Sequence, residues 1–345
     1  MDPNTPQLSF ISIVDFSENA RWLFLTPSVS DLLGYEPREL IGRPALELVH
    51  PEEFPKVKQM HYDTIRQDKA AVLAYLRMKH KDPIKGYILC AISRTVVYNV
   101  LVGSVSYAER GAKAMHNAST AQEVEVITKT AQDFQLRRWG DPSPMPPSPI
   151  PSPQASALLA SAPASDTMLE PVITFAHMPS QSLRTALILE RFSVRCPVIY
   201  CSNDLLLQTT TVMGRSFSDF VMPESEETVK KWIDVIKQWG VNERGQPSDG
   251  GFGFGKFRLC RSGRDSSVSQ PTHGAQRRRD AWSSSKSPPA RSNSSSNRSG
   301  GLHSQDSRQQ RITPPPPRED GPFVDAIFSA HSDGILVILR YATGN

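Results

Sequence analysis

The chain has little cysteine and no long apolar run. Cys90, Cys196, Cys201 and Cys260 are the only four cysteines in 345 residues, and they form no CxxC pair. That excludes a disulfide scaffold and a cysteine-built zinc centre, and predicts small buried thiols in a reducing compartment. No segment is apolar for long enough to span a membrane, and no secretory signal precedes Ser9, so no membrane partner is expected. GxxxxGK[ST] and HExxH are missing as well. The GGFGFG run at Gly250–Gly255 lacks the Lys-Ser/Thr of a phosphate loop and leads into a strand pattern, so it reads as a flexible lead-in. No catalytic or metal-ligating constellation is expected, and the chain reads as non-enzymatic.

Proline is plentiful but concentrated. Asp141–Gln154 (DPSPMPPSPIPSPQ) reads as an extended linker. The stretch 261–318 is rich in Ser, Arg, Pro and Gln and nearly free of large aliphatics, so it is expected to be disordered. Between Arg261 and Arg311, nine arginines and one lysine face three aspartates, although the whole chain carries only +4. Arg277, Arg278 and Arg279, with Lys286 and Arg291 nearby, read as a basic patch that attracts nucleic acid weakly or directs nuclear import. A solvated linker explains the same residues. Ser-Pro or Thr-Pro pairs begin at Ser143, Ser148, Ser152, Ser287 and Thr313, where phosphorylation would add negative charge. Pro314–Pro317 weakly resembles a polyproline-helix ligand.

Two regions have strand and helix patterning. In the first, Ser9–Asp15 and Trp22–Leu25 are strand-like, and several helical turns follow, each too short to persist alone. Ser28 is placed to cap the first of them. Residues 52–67 read as a helix burying Phe54, Val57, Met60 and Ile65. Residues 70–81, 86–98 and 100–107 read as three more strands, giving an α+β unit with helices on one face of an antiparallel sheet.

The wording between these strands is specific. Leu33-Gly34-Tyr35-Glu36-Pro37-Arg38-Glu39-Leu40-Ile41-Gly42-Arg43, followed by His50-Pro51-Glu52, resembles the PAS domain, in the branch reading LGY-x-P-x-E-L-IG-(K/R) and then HP-(D/E). The resemblance extends to PAS units of fungal White Collar-related regulators, whose GATA-type zinc finger is missing here. A second copy begins near residue 183. Met213–Glu224 corresponds to Ile41–Glu52, residues 228–239 read as its long helix, and Ser332-Asp333-Gly334 turns its last hairpin. Two five-stranded PAS-like units are therefore expected, at 8–108 and 183–342, separated by a largely disordered Pro/Ser-rich linker at 109–182. The second is interrupted by a disordered basic insertion at 261–321. No room is expected outside these units for a kinase or DNA-binding domain.

The resemblance implies a regulatory protein acting through contacts with other PAS proteins or with itself, in signalling or transcription, with the nucleus favoured over the cytoplasm. In residues 86–107 both strand parities are apolar, so the outer sheet face should be covered. The candidates are residues 112–139, the second unit or another PAS protein. Leu89, Leu101, Val105 and Tyr107 are the interface candidates. The alternative is a sensor whose first core holds a small molecule, with Ile13, Leu33, Leu48, Val57, Leu76, Ile88 and Val102 lining the cavity. No cofactor is predicted; haem and flavin stay open under that alternative. The helix Gly42–His50 lacks the adduct-forming Cys of flavin photoreceptors, and His61 is the residue placed where some PAS domains bind haem iron.

Overall fold

A computed structural model describes residues 8–108, 110–134, 174, 175, 179, 181–242, 244–264 and 321–342. Its first lobe begins with β1 (Ser9–Asp15) and β2 (Trp22–Leu25). Short helices α1 (Val29–Leu33) and α2 (Pro37–Leu40) follow, then a 3-10 turn at Ala45–Leu48 and the long helix α3 (Phe54–Arg66). Strands β3 (Val72–Lys79), β4 (Tyr87–Val97) and β5 (Val100–Tyr107) complete an antiparallel sheet ordered β2-β1-β5-β4-β3. Gly34 closes α1 at φ 80°, a left-handed position that glycine adopts without cost. Glu36 and Glu39 form a capping box around α2. The helices bury Leu33, Leu40, Val57 and Met60 against Leu76, Cys90 and Val105 on the inner face. Phe54, expected on the buried side of α3, is 39% exposed, because the chain enters the helix there.

The sheet has a sixth strand. α4 (Ala112–Thr120) crosses the outer face, and β6 (Glu123–Val126) pairs in parallel with β3, Val72 opposite Glu123 and Tyr75 opposite Val126. Ala114, Ala118 and Ala131 are small enough for this segment to lie flat on Leu73, Tyr75 and Ala91. Residues 112–134, expected as linker, therefore belong to the first lobe. Glu53 locks the seam: its Oε1 accepts from Arg77 Nε at 2.7 Å and Thr128 Oγ1 at 2.9 Å, and its Oε2 accepts from the Arg77 amide at 2.8 Å.

The second lobe repeats the plan with β7 (Arg184–Leu189), β8 (Val198–Cys201), α5 (Thr209–Val212), a 3-10 turn at Phe217–Phe220, α6 (Pro223–Trp239), β9 (Gly253–Arg258), β10 (Phe323–Ala330) and β11 (Ile335–Tyr341). Its order, β8-β7-β11-β10-β9, is the first five-strand order over again. The repeat extends to single hydrogen bonds. Gly42 donates to Trp22 O at 2.7 Å and Gly214 to Val198 O at 2.8 Å. α6 buries Val229, Trp232, Ile233 and Ile236, as its spacing predicts.

The expected insertion begins later than residue 261. Arg264 Nη2 donates to Ser218 O and Glu226 Oε2, both at 2.6 Å, and Arg261 Nε donates to Leu206 O. These bonds tie 261–264 into the lobe. Residues 265–320, including Arg277, Arg278, Arg279, Lys286 and Arg291, lie outside the described residues, as does the 141–154 linker.

Candidate functional site

Two sheets, each with one face roofed by helices, leave two outer faces to cover. They cover each other. Ile11 and Ile13 of β1, with Val97 and Val102, pack on Ala186 and Ile188 of β7 and Leu336 and Ile338 of β11, all at most 3% exposed. The contact is pseudo-symmetric. Ile13 pairs with Phe24 and Ile188 with Tyr200, each just before a register shift. The two partner rings, Phe24 and Tyr200, stack with centroids 4.9 Å apart and planes 29° from parallel.

Polar clusters close both ends of this seam. At one end the Asp333 carboxylate accepts from the Ser28 amide (3.0 Å) and hydroxyl (2.7 Å). Ser28 therefore does not cap α1 with its own side chain; the hairpin of the other lobe supplies the acceptor. Ser9 and Ser332 exchange bonds of 2.8 and 3.1 Å. Nearby, the buried Asp249 accepts from Ser106 Oγ and Asn117 Nδ2, across the lobes. His331 lies 3.8 Å from the same carboxylate, and burial pushes its pKa down to about 4. A cavity of about 430 Å³ adjoins this cluster, lined by Lys113, His116, Asn117, Trp239 and Asp249. At the other end Arg184 holds Asp68 at 2.6 Å and donates to Val96 O at 2.8 Å. A second cavity of about 600 Å³ lies beside it, against β9, β10 and β11.

The expected interface residues fall on different surfaces. Leu89 faces outward and packs with the α4 group. Val105 and Tyr107 face inward, in the core under the helices, and Leu101 packs inward with Ile65 and Val96. The reason is register: Tyr107 lies opposite Cys90, Val105 opposite Ile92 and Leu101 opposite Val96, all inner-face positions. The cavity candidates divide likewise. Leu33, Leu48, Val57, Leu76 and Ile88 belong to the inner core, whereas Ile13 and Val102 lie in the seam between the lobes. His61 is buried; its Nε2 donates to Ser17 O at 3.0 Å and burial pushes its pKa down to about 4. The Cys90 thiol is pushed up by burial.

Several site residues had no place in the sequence reading. Asp333 reads as a turn residue and Asp249 carries no reading, and nothing in the sequence shows that their carboxylates cross to another lobe. Arg94 had a visible signal, a lone charge at an inner position between Ile92 and Val96. Its Nε and Nη2 are buried without a hydrogen bond, and burial pushes its pKa down to about 10.

Two helix-roofed sheets paired back to back define a tandem of α+β modules. The PAS fold family model matches residues 23–97, so the first lobe carries a PAS fold. PAS is a fold of signalling and sensing. No curated protein sequence matches the chain. Among solved structures it is similar to the PAS domain of the Cronobacter turicensis RpfR quorum-sensing receptor in complex with BDSF. That match has 19% identity and a TM-score of 0.27, and covers 31% of this chain and 99% of the receptor domain. It is also similar to Drosophila melanogaster Cycle PAS-B with bound ethylene glycol, at 17% identity and TM-score 0.25, over 28% of this chain and 99% of that one. The N-terminal domain of a Marinobacter aquaeolei diguanylate cyclase with a PAS/PAC sensor matches at 17% identity and TM-score 0.24, over 28% and 92%.

Proposed function

We propose that this protein is a non-catalytic PAS regulator that works through protein contacts, pairing with other PAS-domain proteins in signalling or transcription control. One observation carries the reading: two PAS lobes hold each other face to face through a seam of side chains at most 3% exposed, so the chain is already a PAS–PAS assembly. The motif resemblance to fungal White Collar-related regulators and the basic stretch around Arg277–Arg279 support a nuclear setting. The test is affinity capture of the tagged full chain from its source cells, with imaging of a fluorescent fusion. Recovery of a PAS-domain partner from nuclei is the expected result. A chain that recovers no PAS protein and sediments as a monomer at every concentration would refute it.

A second reading is supported by Arg94. Arg94 is half-buried on the inner side of the first sheet, and its two buried, unbonded nitrogens suit a small anionic ligand there. Native mass spectrometry of the purified chain tests it: extra mass lost in Arg94→Met supports a sensor, and the bare chain mass rejects it.

A further inference from the structure

The cavity beside Asp249 takes its lining from both lobes: Lys113, His116 and Asn117 from α4, Trp239 from the end of α6, and Ser248 and Asp249 from the stretch before β9. Its volume of about 430 Å³ lies within the range of about 300–1,000 Å³ that holds small molecules. Ala91, Ala108 and Trp239 make part of the lining apolar, whereas Lys113, Ser248 and Asp249 carry its polar part.

Buried charge does not balance at this end of the seam. The half-buried Lys113 donates from Nζ to the Ser248 hydroxyl at 2.6 Å, and no carboxylate among the described residues forms an ion pair with it. Burial pushes its pKa down to about 8; the Asp249 carboxylate acts against that shift and the Arg191 cation adds to it, so Lys113 still holds its proton near pH 7. Arg191 stands behind the lining and is 6% exposed. Its hydrogen bonds all go to main-chain carbonyls: Nη1 to His331 O at 2.5 Å, and Nη2 to Lys237 O at 3.2 Å and Gly240 O at 3.1 Å. Asp249 is the one carboxylate among the lining residues. Neutral donors already hold it: Ser106 Oγ at 3.2 Å, Asn117 Nδ2 at 3.0 Å and the Gly251 amide at 3.1 Å. Asp333 is bonded to Ser28 and is not part of the lining. Lys113 and Arg191 therefore face a single carboxylate, and the cavity adjoins one positive charge in excess.

We propose that this cavity binds a small monocarboxylate with an apolar body, its carboxylate on the Lys113 ammonium and the Ser248 hydroxyl and its body against Trp239, Ala91 and Ala108. An ammonium–carboxylate hydrogen bond is about twice as strong as the neutral one Lys113 now makes to Ser248. Asp249, in the same lining, repels a second negative charge, which favours a monocarboxylate over phosphate. Because the lining comes from both lobes, the ligand stabilises their packing by mass action. The site lies on the outer side of the first sheet, beside α4, and is separate from Arg94 on the inner side.

The probe is phenylacetate, titrated near pH 7 into the full-length chain by calorimetry, with phenylacetamide and inorganic phosphate as comparisons. Saturable binding with a Kd below about 1 mM is expected, with phenylacetamide about tenfold weaker or more and phosphate failing to compete. Lys113→Met keeps the apolar stem, removes the cation and should weaken phenylacetate about tenfold or more. The thermal midpoint should rise with phenylacetate in the parent and stay unchanged in Lys113→Met. Comparison of acid with amide uses the parent protein alone, so it is decisive even where the variant does not fold. Equal binding of acid and amide, no saturation by about 10 mM, or phosphate as the tighter ligand would overturn the proposal. Binding lost in Arg94→Met but kept in Lys113→Met would overturn it too, by moving the ligand to the first core.

Discussion

Phe24 and Tyr200 test the seam directly, because each ring belongs to a different lobe. Both are half-buried, and their stack at 4.9 Å exists only while the lobes are packed. Truncating a fully buried aromatic costs ~3–5 kcal/mol, so each half-buried ring replaced by alanine should cost about 2. The ring–ring term should be about 1 kcal/mol, within the usual range for aromatic pairs. The double variant Phe24→Ala, Tyr200→Ala should then lose about 3 kcal/mol rather than about 4. Tyr200→Phe keeps the ring and should stay close to the parent. Urea unfolding of the full chain, fitted by linear extrapolation for all four proteins, measures the cycle. Additivity within about 0.3 kcal/mol would refute the reasoning, since uncoupled rings cannot be stacked across a packed seam. Two separated transitions, with each substitution moving only its own, would refute it as well.

Three further outcomes are expected. His331 ionises at about 6.5 unfolded and about 4 folded, so its contribution is complete above pH 6.5 and is lost as pH falls from 6.5 toward 4; the share lost by pH 5 is about 2 kcal/mol. Urea midpoints at pH 7.5 and 5.0 should therefore separate less in His331→Gln than in the parent, and an equal separation would reject the buried neutral imidazole. Asp333→Ala removes both acceptors of Ser28 and should cost about 1–2 kcal/mol in thermal unfolding, whereas Asp333→Asn should cost less. Replacing residues 266–319 by a short glycine turn should preserve the cooperative transition and raise stability by up to about 2 kcal/mol, because Arg258 and Phe323 are already paired across the junction; loss of cooperativity on calorimetry would show that the segment is structural.

Strands are legible where their patterns are long and β-branched: β1 and β5 have the bounds that the sequence alone suggests, as does the short apolar β2. The face each residue takes was harder to read. On β4 and β5 both parities are apolar, since one face meets helices and the other meets the second lobe. Periodicity then says that a strand exists but not which side is inside, and a choice off by one residue moves every side chain across the sheet. That is why the sequence pattern alone assigns Leu101, Val105 and Tyr107 to the interface and Val102 to the cavity, the reverse of their faces in the sheet. The α4–β6 segment was obscured differently. Val124, Ile127, Ala131 and Phe134 suit a helix, while the alternation that wins, Glu-Val-Glu-Val, is four residues long. The cross-lobe carboxylates of Asp249 and Asp333 follow from assembly, which neither a local pattern nor the turn signature at Asp333 can express.

Fusion of the two lobes has a consequence for association. Sheet faces joined within one chain see each other at an effective concentration of about millimolar, so even a weak face-to-face contact is nearly saturated. A free PAS protein competing for either outer face in trans must displace that partner, together with the bonds of Asp333, Asp249 and Arg184. Displacement uncovers Ile13, Ile188, Leu336 and Ile338 to water before any new contact forms. Edges carry no such cost. β9 presents backbone groups with no strand partner among the described residues, and a strand added there leaves the seam closed. A partner that leaves the Phe24–Tyr200 coupling intact while slowing amide exchange along β9 would therefore be using the edge, whereas one that abolishes the coupling must have opened the seam.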